Sequence, residues 1–118
     1  MDINRIFLTV KSPIKCHLWK KKKLTPKDLQ FEEVKSIIES SHFDRSIYKC
    51  KRCGQLYFYE FYEEIDWLGG NDKIYTTYIP IDADEKIIEN LNERTPLELL
   101  AVSPMLRWDS DDKIVWVK

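Results

Sequence analysis

Residues 46–67, SIYKCKRCGQLYFYEFYEEIDW, contain the two strongest signals in the chain. One is a pair of cysteines, Cys50 and Cys53, separated by two residues and followed by Gly54. The other is a long run rich in tyrosine and phenylalanine, which favours a β-strand. The sequence therefore predicts two strands joined by a tight turn that presents both cysteines.

The spacing of Cys50 and Cys53 lets two thiolates bind one metal ion from a tight turn. Gly54 tolerates the positive φ that such a turn needs before the next strand begins. With Tyr48 just before the first cysteine, residues 46–62 resemble the knuckle of zinc-ribbon proteins. The resemblance implies a structural zinc ion and indicates no particular function.

A structural zinc site takes four protein ligands, and the chain has no second CxxC pair. The remaining soft or imidazole donors are Cys16, His17 and His42. Cys16 and His17 can reach one metal only if they lie on a loop, since neighbours on a strand point to opposite faces. His42 can instead fold back onto the turn. We expect zinc bound by Cys50, Cys53 and two of these three donors.

Three other roles for the cysteine pair stay open. A redox pair of the thioredoxin type lies at the start of a helix, whereas strands are predicted on both sides here. An odd count of three cysteines disfavours a disulfide scaffold. The thiols can also remain reduced in a turn that holds no metal.

Strand alternation divides the aromatic run into two faces. A mostly apolar set is predicted to face the core: Tyr57, Tyr59, Phe61, Glu63, Ile65 and Trp67. A second set is predicted to form a protein-binding surface: Phe58, Glu60, Tyr62, Glu64 and Asp66. Tyrosines supply apolar area with a polar tip, and carboxylates attract a basic partner. The alternative is a central strand that is covered on both faces and solvated only at its end.

Local signals predict the elements around this strand. Thr25-Pro26-Lys27-Asp28 and Thr95-Pro96-Leu97-Glu98 each combine a capping residue with a proline, which predicts a helix start. Apolar residues at 31, 34 and 38 extend the first of these helices to about residue 40. Another short helix is predicted after residue 82. Strands are predicted near residues 3–10 and at 73–81 and 114–117, with a polar turn at 109–112. Residues 68–72, which include Gly69 and Gly70, are predicted to form the hairpin loop that joins the aromatic strand to the strand at 73–81.

These elements predict an α+β fold with a central antiparallel sheet and two or three helices. The length of 118 residues suits a single domain spanning residues 1–118. The chain has no apolar run of about 18 residues, and its first residues show no signal-peptide pattern. We therefore expect a cytoplasmic protein.

The net charge of −1 hides an asymmetry between the two halves. Residues 1–54 contain 13 Lys/Arg against 6 Asp/Glu, and residues 55–118 contain 6 against 14. The charges can pair across one surface, or each half can present its own field. The lysine run at 20–23 is predicted to be a solvated loop, because the acidic aromatic strand would repel a nucleic acid.

Three classes of function remain. The small size, the lack of catalytic motifs and the acidic aromatic strand are similar in general character to bacterial immunity proteins, which neutralise a toxin by covering it. We therefore expect a non-enzymatic protein-binding protein with a basic partner. The alternative is a zinc-ribbon module that binds nucleic acid or the transcription or translation machinery. An enzyme is disfavoured, since the sequence contains no GxSxG, HExxH or phosphate-binding glycine loop.

Overall fold

The computed structural model describes residues 7–70, 73–109 and 113–118. This part of the chain contains eight strands: β1 Leu8–Thr9, β2 Phe31–Ile38, β3 Phe43–Cys50, β4 Leu56–Glu64, β5 Lys73–Ile81, β6 Val102–Ser103, β7 Met105–Trp108 and β8 Ile114–Val117. It also contains three α-helices: α1 His17–Lys20, α2 Glu85–Glu93 and α3 Pro96–Leu99. Six strands pair antiparallel in the order β2-β3-β4-β5-β7-β8, and β1 pairs in parallel with β6. The predicted α+β fold with an antiparallel sheet is confirmed.

The β4–β5 hairpin forms the centre of the sheet. Both strands have nine residues, and their register runs without a shift from Leu56 opposite Ile81 to Glu64 opposite Lys73. Aromatic and β-branched side chains on both strands favour this pairing. The predicted hairpin is confirmed. Residues 71 and 72 of its loop, residues 110–112 of the predicted turn at 109–112, and residues 3–6 of the predicted strand at 3–10 lie outside the described residues.

β4 is covered on both faces, because each face of the sheet packs against its own apolar core. Phe58 lies in the first core with Ile79 and with Leu91 of α2. Tyr57 lies in the second core with Leu18 of α1. Alternation directs the two neighbours to opposite cores. The expectation of one solvated face is therefore wrong, and the alternative of a two-sided central strand is correct.

Residues 31–38 form a strand where the sequence predicted a continuing helix. The 3-10 turn Pro26–Asp28 forms at the predicted helix start, and its Asp28 carboxylate accepts the Thr25 N–H at 2.8 Å. β2 then pairs with β3 through two register irregularities. Such irregularities interrupt the period of two, so residues 31–38 lack the regular alternation that marks a strand in a sequence. Val34, one of the three residues behind the helix prediction, is exposed on this strand.

The two helices after the hairpin begin where their capping signals predict. The Asp84 side chain accepts the Lys86 N–H at 2.9 Å, and the Thr95 hydroxyl accepts the Glu98 N–H at 3.2 Å. These contacts satisfy N–H groups that have no partner within the helix. No helix in the described ranges combines the length and the apolar character that crossing a membrane requires.

A buried ion pair joins the first core to the end of α2. Arg45 and Glu60 are cross-strand partners on β3 and β4, each 1% exposed, and their charged groups meet at 2.8 Å. Arg45 also donates to the carbonyl oxygens of Asn92 and Arg94 at 2.7 and 2.6 Å. Helices leave their last carbonyls without intrahelical partners. Burial raises the pKa of Glu60, and the guanidinium opposes this shift. One cation therefore connects two central strands with the end of a helix.

We predict that Glu60→Lys severely destabilises the protein. The change puts two cations together in a buried site, and breaking such a pair costs about 3–5 kcal/mol. Glu64→Lys is the matched control, because Glu64 lies on the same strand and is exposed. Its effect should stay within about 0.5 kcal/mol. Thermal melting measures both, and equal melting temperatures for the two variants would contradict the buried pair.

Candidate metal centre

The turn between β3 and β4 presents Cys50 and Cys53. Cys50 is the last residue of β3, and its carbonyl accepts the Gly54 N–H at 2.8 Å. Gly54 has a φ of 81°, which residues with a side chain rarely adopt. The Cys50 N–H donates to the Gln55 carbonyl at 2.9 Å and closes the turn. Both thiols therefore lie at one end of the β3–β4 pair.

Cys16 and His17 approach this end from the second core. Cys16 immediately precedes α1, and His17 is the first residue of that helix. Leu18 is fully buried, and its carbonyl accepts the Trp116 indole N–H at 2.8 Å, which anchors α1 to β8. The chain enters a helix here and does not run as a strand, so the two neighbouring donors can face one point. Of the three donors that the sequence left open, the structure brings these two to the cysteine turn.

The four donors form a compact cluster. One ligand atom from each of Cys16, His17, Cys50 and Cys53 lies within 4.8 Å of all the others. The Cys50 Sγ is 3.9 Å from Nδ1 of His17. Cys16 and Cys50 are buried, His17 is half-buried and Cys53 is exposed. All three cysteines are free thiols, and together with His17 they could hold a metal ion.

Two further contacts orient the donors. The Tyr57 hydroxyl donates to the Cys16 Sγ at 3.1 Å. The Nε2 of His17 lies 3.4 Å from the Asp28 carbonyl oxygen, while Nδ1 faces the cluster. Histidine ligands of metals commonly donate their second N–H to such an oxygen, which fixes the tautomer and the ring orientation. The hydrogen bonds around the cluster are therefore those expected around a metal site, and its donor atoms are suitable ligands too.

The pKa values of the clustered groups shift in opposite directions. Burial raises the pKa of Cys16 to about 12, and the Tyr57 hydrogen bond opposes this shift. Burial also acts to raise the pKa of Cys53, but hydrogen bonds from the Gln55 backbone and the neighbouring thiols outweigh it, and the pKa falls. Metal ligation requires the thiolate form. Binding of a cation would therefore displace a proton from Cys16 at neutral pH.

His42 is not part of the cluster, so its place among the candidate ligands is corrected. Its Nδ1 lies 3.1 Å from Oε1 of Glu63, and its carbonyl accepts the Glu63 N–H at 2.8 Å. His42 directly precedes β3, whereas Cys50 ends that strand. Eight residues of extended chain span about 26 Å. That distance excludes His42 from a site at Cys50.

The predicted protein-binding set lies only partly at the surface. Phe58 and Glu60 are 0% and 1% exposed, so neither can contribute to an exposed surface. Tyr62 and Asp66 are half-buried, and Glu64 is exposed. The prediction fails for the first two because the first core covers this face of β4. The later residues lie beyond that cover.

The end of the β4–β5 hairpin exposes two large apolar side chains. Trp67 is 87% exposed and Leu68 is 101% exposed, although alternation had placed Trp67 in the core-facing set. That assignment is wrong because β4 ends at Glu64 and alternation ends with it. The Asp66 carboxylate accepts two backbone N–H groups of the turn at 3.2 and 2.8 Å. The two glycines that follow were the sequence signal for an exposed loop. We call Glu64, Asp66, Trp67 and Leu68 the hairpin tip.

Neither a family model, nor a curated protein, nor a solved structure matches the chain. The candidate metal centre therefore rests on its donors, their distances and their hydrogen bonds. The chain has no second CxxC pair, and the other two donors of the cluster come from the segment at α1.

We predict that metal binding depends on His17 and not on His42. His17→Ala removes one of the four donors and should weaken zinc binding more than about 10-fold. His42→Ala is the matched control and should leave zinc binding unchanged. Elemental analysis gives the metal content, and titration of chelator-treated protein against a coloured zinc chelator gives the affinity. Equal affinities for the two variants would rule out the cluster as the site.

Proposed function

We propose that this protein is a non-enzymatic binding protein that contains a structural zinc ion. Its hairpin tip binds a basic protein partner. The zinc ion holds α1 against the second core, and the tip supplies the contact surface. The observation that supports binding most directly is the exposure of Trp67 and Leu68 beside acidic side chains.

The donor set favours zinc over hard cations. Three cysteines and one histidine are typical ligands of structural zinc, whereas calcium and magnesium prefer oxygen. Tetrahedral ligands about 2.3 Å from zinc stand about 3.8 Å apart. The widest separation in the cluster is 4.8 Å, so it has to close by about 1 Å. Four protein ligands leave no open position for a substrate, which supports a structural role for the ion.

Zinc would join two segments that are far apart in the chain. α1 has four residues, and a helix of that length is not stable by itself. Its attachment through Cys16 and His17 to the β3–β4 turn turns metal-binding energy into folding energy. Three reduced thiols suit a reducing compartment, and we therefore propose a cytoplasmic location.

The hairpin tip has the composition of a protein-binding surface. Tryptophan is enriched among the residues that dominate binding energy, and exposed apolar groups with a polar rim mark interaction sites. Residues 64–68 and Lys73 border a groove of about 420 Å³ here. Glu63, Glu64 and Asp66 outnumber Lys73, so the local charge is negative and would speed encounter with a cationic partner.

An inhibitor that covers a basic toxin is the specific form of this function that we favour. The acidic tip would supply the charge complementarity, and the two apolar side chains would supply affinity once they are desolvated. The alternative function, nucleic-acid binding, draws support from a different surface next to the metal centre.

We predict that removing zinc lowers the melting temperature by more than about 10 °C. The loss follows because α1 and the β3–β4 turn then lose their common anchor. Cys53→Ser should reproduce the loss without chelator, and the exposure of Cys53 means that little packing changes. Scanning calorimetry with and without zinc measures the effect. A melting temperature that neither chelator nor zinc alters would exclude a structural ion.

We also predict that Trp67→Ser with Leu68→Ser abolishes capture of the partner and leaves the melting temperature unchanged. Both side chains are exposed, so their replacement removes contact area without altering a core. Leu97→Ser is the matched control, because Leu97 is 77% exposed on α3. Affinity capture from host lysate with wild type and both variants, followed by mass spectrometry, identifies proteins that depend on the tip.

The captured protein should be basic. Glu64→Lys should slow its association, most strongly at low salt, because a carboxylate that steers encounter becomes a repelling charge. An acidic partner would refute the proposed role of the hairpin tip. The same conclusion would follow if the double variant at Trp67 and Leu68 captured the same proteins as Leu97→Ser.

A further inference from the structure

A second surface, at the β8 edge of the sheet, combines tryptophan with lysine. A groove of about 330 Å³ between α1 and β8 has the following residues in its lining: Trp19, Lys20, Lys21, Lys22, Trp116 and Lys118. The rings of Trp19 and Trp116 meet edge to face, with centroids 4.8 Å apart and an interplanar angle of 77°. We call this surface the basic groove.

Both indole rings are half-buried and are held in place by specific contacts. The Trp116 N–H donates to the Leu18 carbonyl at 2.8 Å, which fixes that ring at the side of the groove. The Lys118 Nζ lies 4.5 Å from the centroid of the Trp19 ring. A surface cation therefore reaches the face of this ring, and a planar ligand could take its place. Fixed aromatic faces in a cationic groove are the surfaces on which unpaired bases stack.

The lysines of the groove keep most of their charge available. Within the described part of the chain, Lys21 is the only member of the run 20–23 in an ion pair, with Asp28 at 2.6 Å. Lys20 and Lys22 are exposed on the same short segment, and Lys118 joins them from the end of β8. These side chains can neutralise successive phosphates of one strand.

The acidic hairpin tip does not cancel this field. Across the sheet, Trp116 on β8 lies in line with Tyr59 on β4. The cross-strand partners between them are Leu106 on β7 and Tyr78 on β5. Glu64 lies five residues further along that strand, or about 16 Å, and three strand spacings add about 14 Å across the sheet. Both distances exceed the Debye length of about 8 Å at physiological salt. Repulsion by the acidic strand, on which the sequence argument against nucleic acid relied, therefore does not act at the groove.

We propose that the basic groove binds single-stranded nucleic acid, with lysines on the phosphates and the two indoles against unpaired bases. A duplex presents phosphates but keeps its bases stacked on one another, so it would leave the indoles unused. A peptide of Asp and Glu satisfies the lysines but offers no aromatic ring to stack on the indoles. This site goes beyond the protein-binding role of the hairpin tip and shares no residue with it, so either can fail without the other.

Fluorescence anisotropy of labelled 12-nucleotide DNA and RNA strands tests the proposal with the zinc-containing protein. Binding should weaken with salt at a slope near −2 for three phosphates neutralised. Combined Lys20→Glu, Lys22→Glu and Lys118→Glu should reduce affinity at least tenfold. The matched control is Lys35→Glu, Lys73→Glu and Lys86→Glu, which changes the net charge equally at exposed positions elsewhere. It should keep most of the affinity.

Trp19→Leu separates stacking from charge, because it keeps an apolar side chain and removes the ring. It should lower affinity for the single strand about tenfold and leave binding of heparin unchanged. Circular dichroism verifies that each variant folds. If Trp19→Leu fails to fold, the lysine variants still test the proposal, because their substitutions are at exposed positions. Absence of binding at low salt, equal loss in the two lysine variants, equal affinity for a duplex, or tighter binding of polyglutamate would each overturn the proposal.

Discussion

Because β4 lies at the centre of the sheet and is apolar on both faces, the chain has to cover this strand twice. The first face receives α2 and α3, whose residues Leu91 and Leu99 are fully buried. The second face receives the segment that contains α1, a helix of four residues. An element of that size buries too little surface to offset its own ordering entropy. The four donors converge between α1 and the β3–β4 turn, where a metal ion would add a link between these two segments.

The same two-sided burial explains the charged pair inside the first core. A carboxylate at Glu60 faces a core and not solvent, so it requires a cation and further hydrogen bonds in the same place. Arg45 meets this requirement from the adjacent strand, and its remaining N–H groups bind carbonyls at the end of α2. The pair therefore favours one alignment of β3 on β4 and one position for α2. Apolar packing alone would leave both less strictly defined.

Sequence patterns predicted the features that depend on near neighbours. The β4–β5 hairpin, the caps of α2 and α3 and the Cys50–Cys53 turn each need only a few consecutive residues. The failures involve distant partners or broken periods. The burial of Glu60 depends on Arg45 and α2, and the register irregularities of β2 interrupt the alternation that would have marked residues 31–38 as a strand. For the two candidate ligands beside Cys50 and Cys53, the sequence left three donors open. Only the packing of α1 shows that His17 lies in the cluster and His42 does not.

In the part of the chain that the structure describes, most of the basic residues of the first half lie apart from the acidic residues of the second half, and few of them form ion pairs with those residues. Among the described residues, two ion pairs connect the halves: Arg45 with Glu60, which is buried, and His42 with Glu63. The distance between the lysines at α1 and the carboxylates at the hairpin tip instead exceeds the Debye length at physiological salt, so their interaction is screened. Such an arrangement keeps the net charge near zero while preserving two local fields of opposite sign. The cluster of Cys16, His17, Cys50 and Cys53 lies on the basic side, at the end of β4 away from the tip. Disruption of this cluster would therefore disturb α1 and the basic groove first, while the hairpin keeps its own continuous ladder.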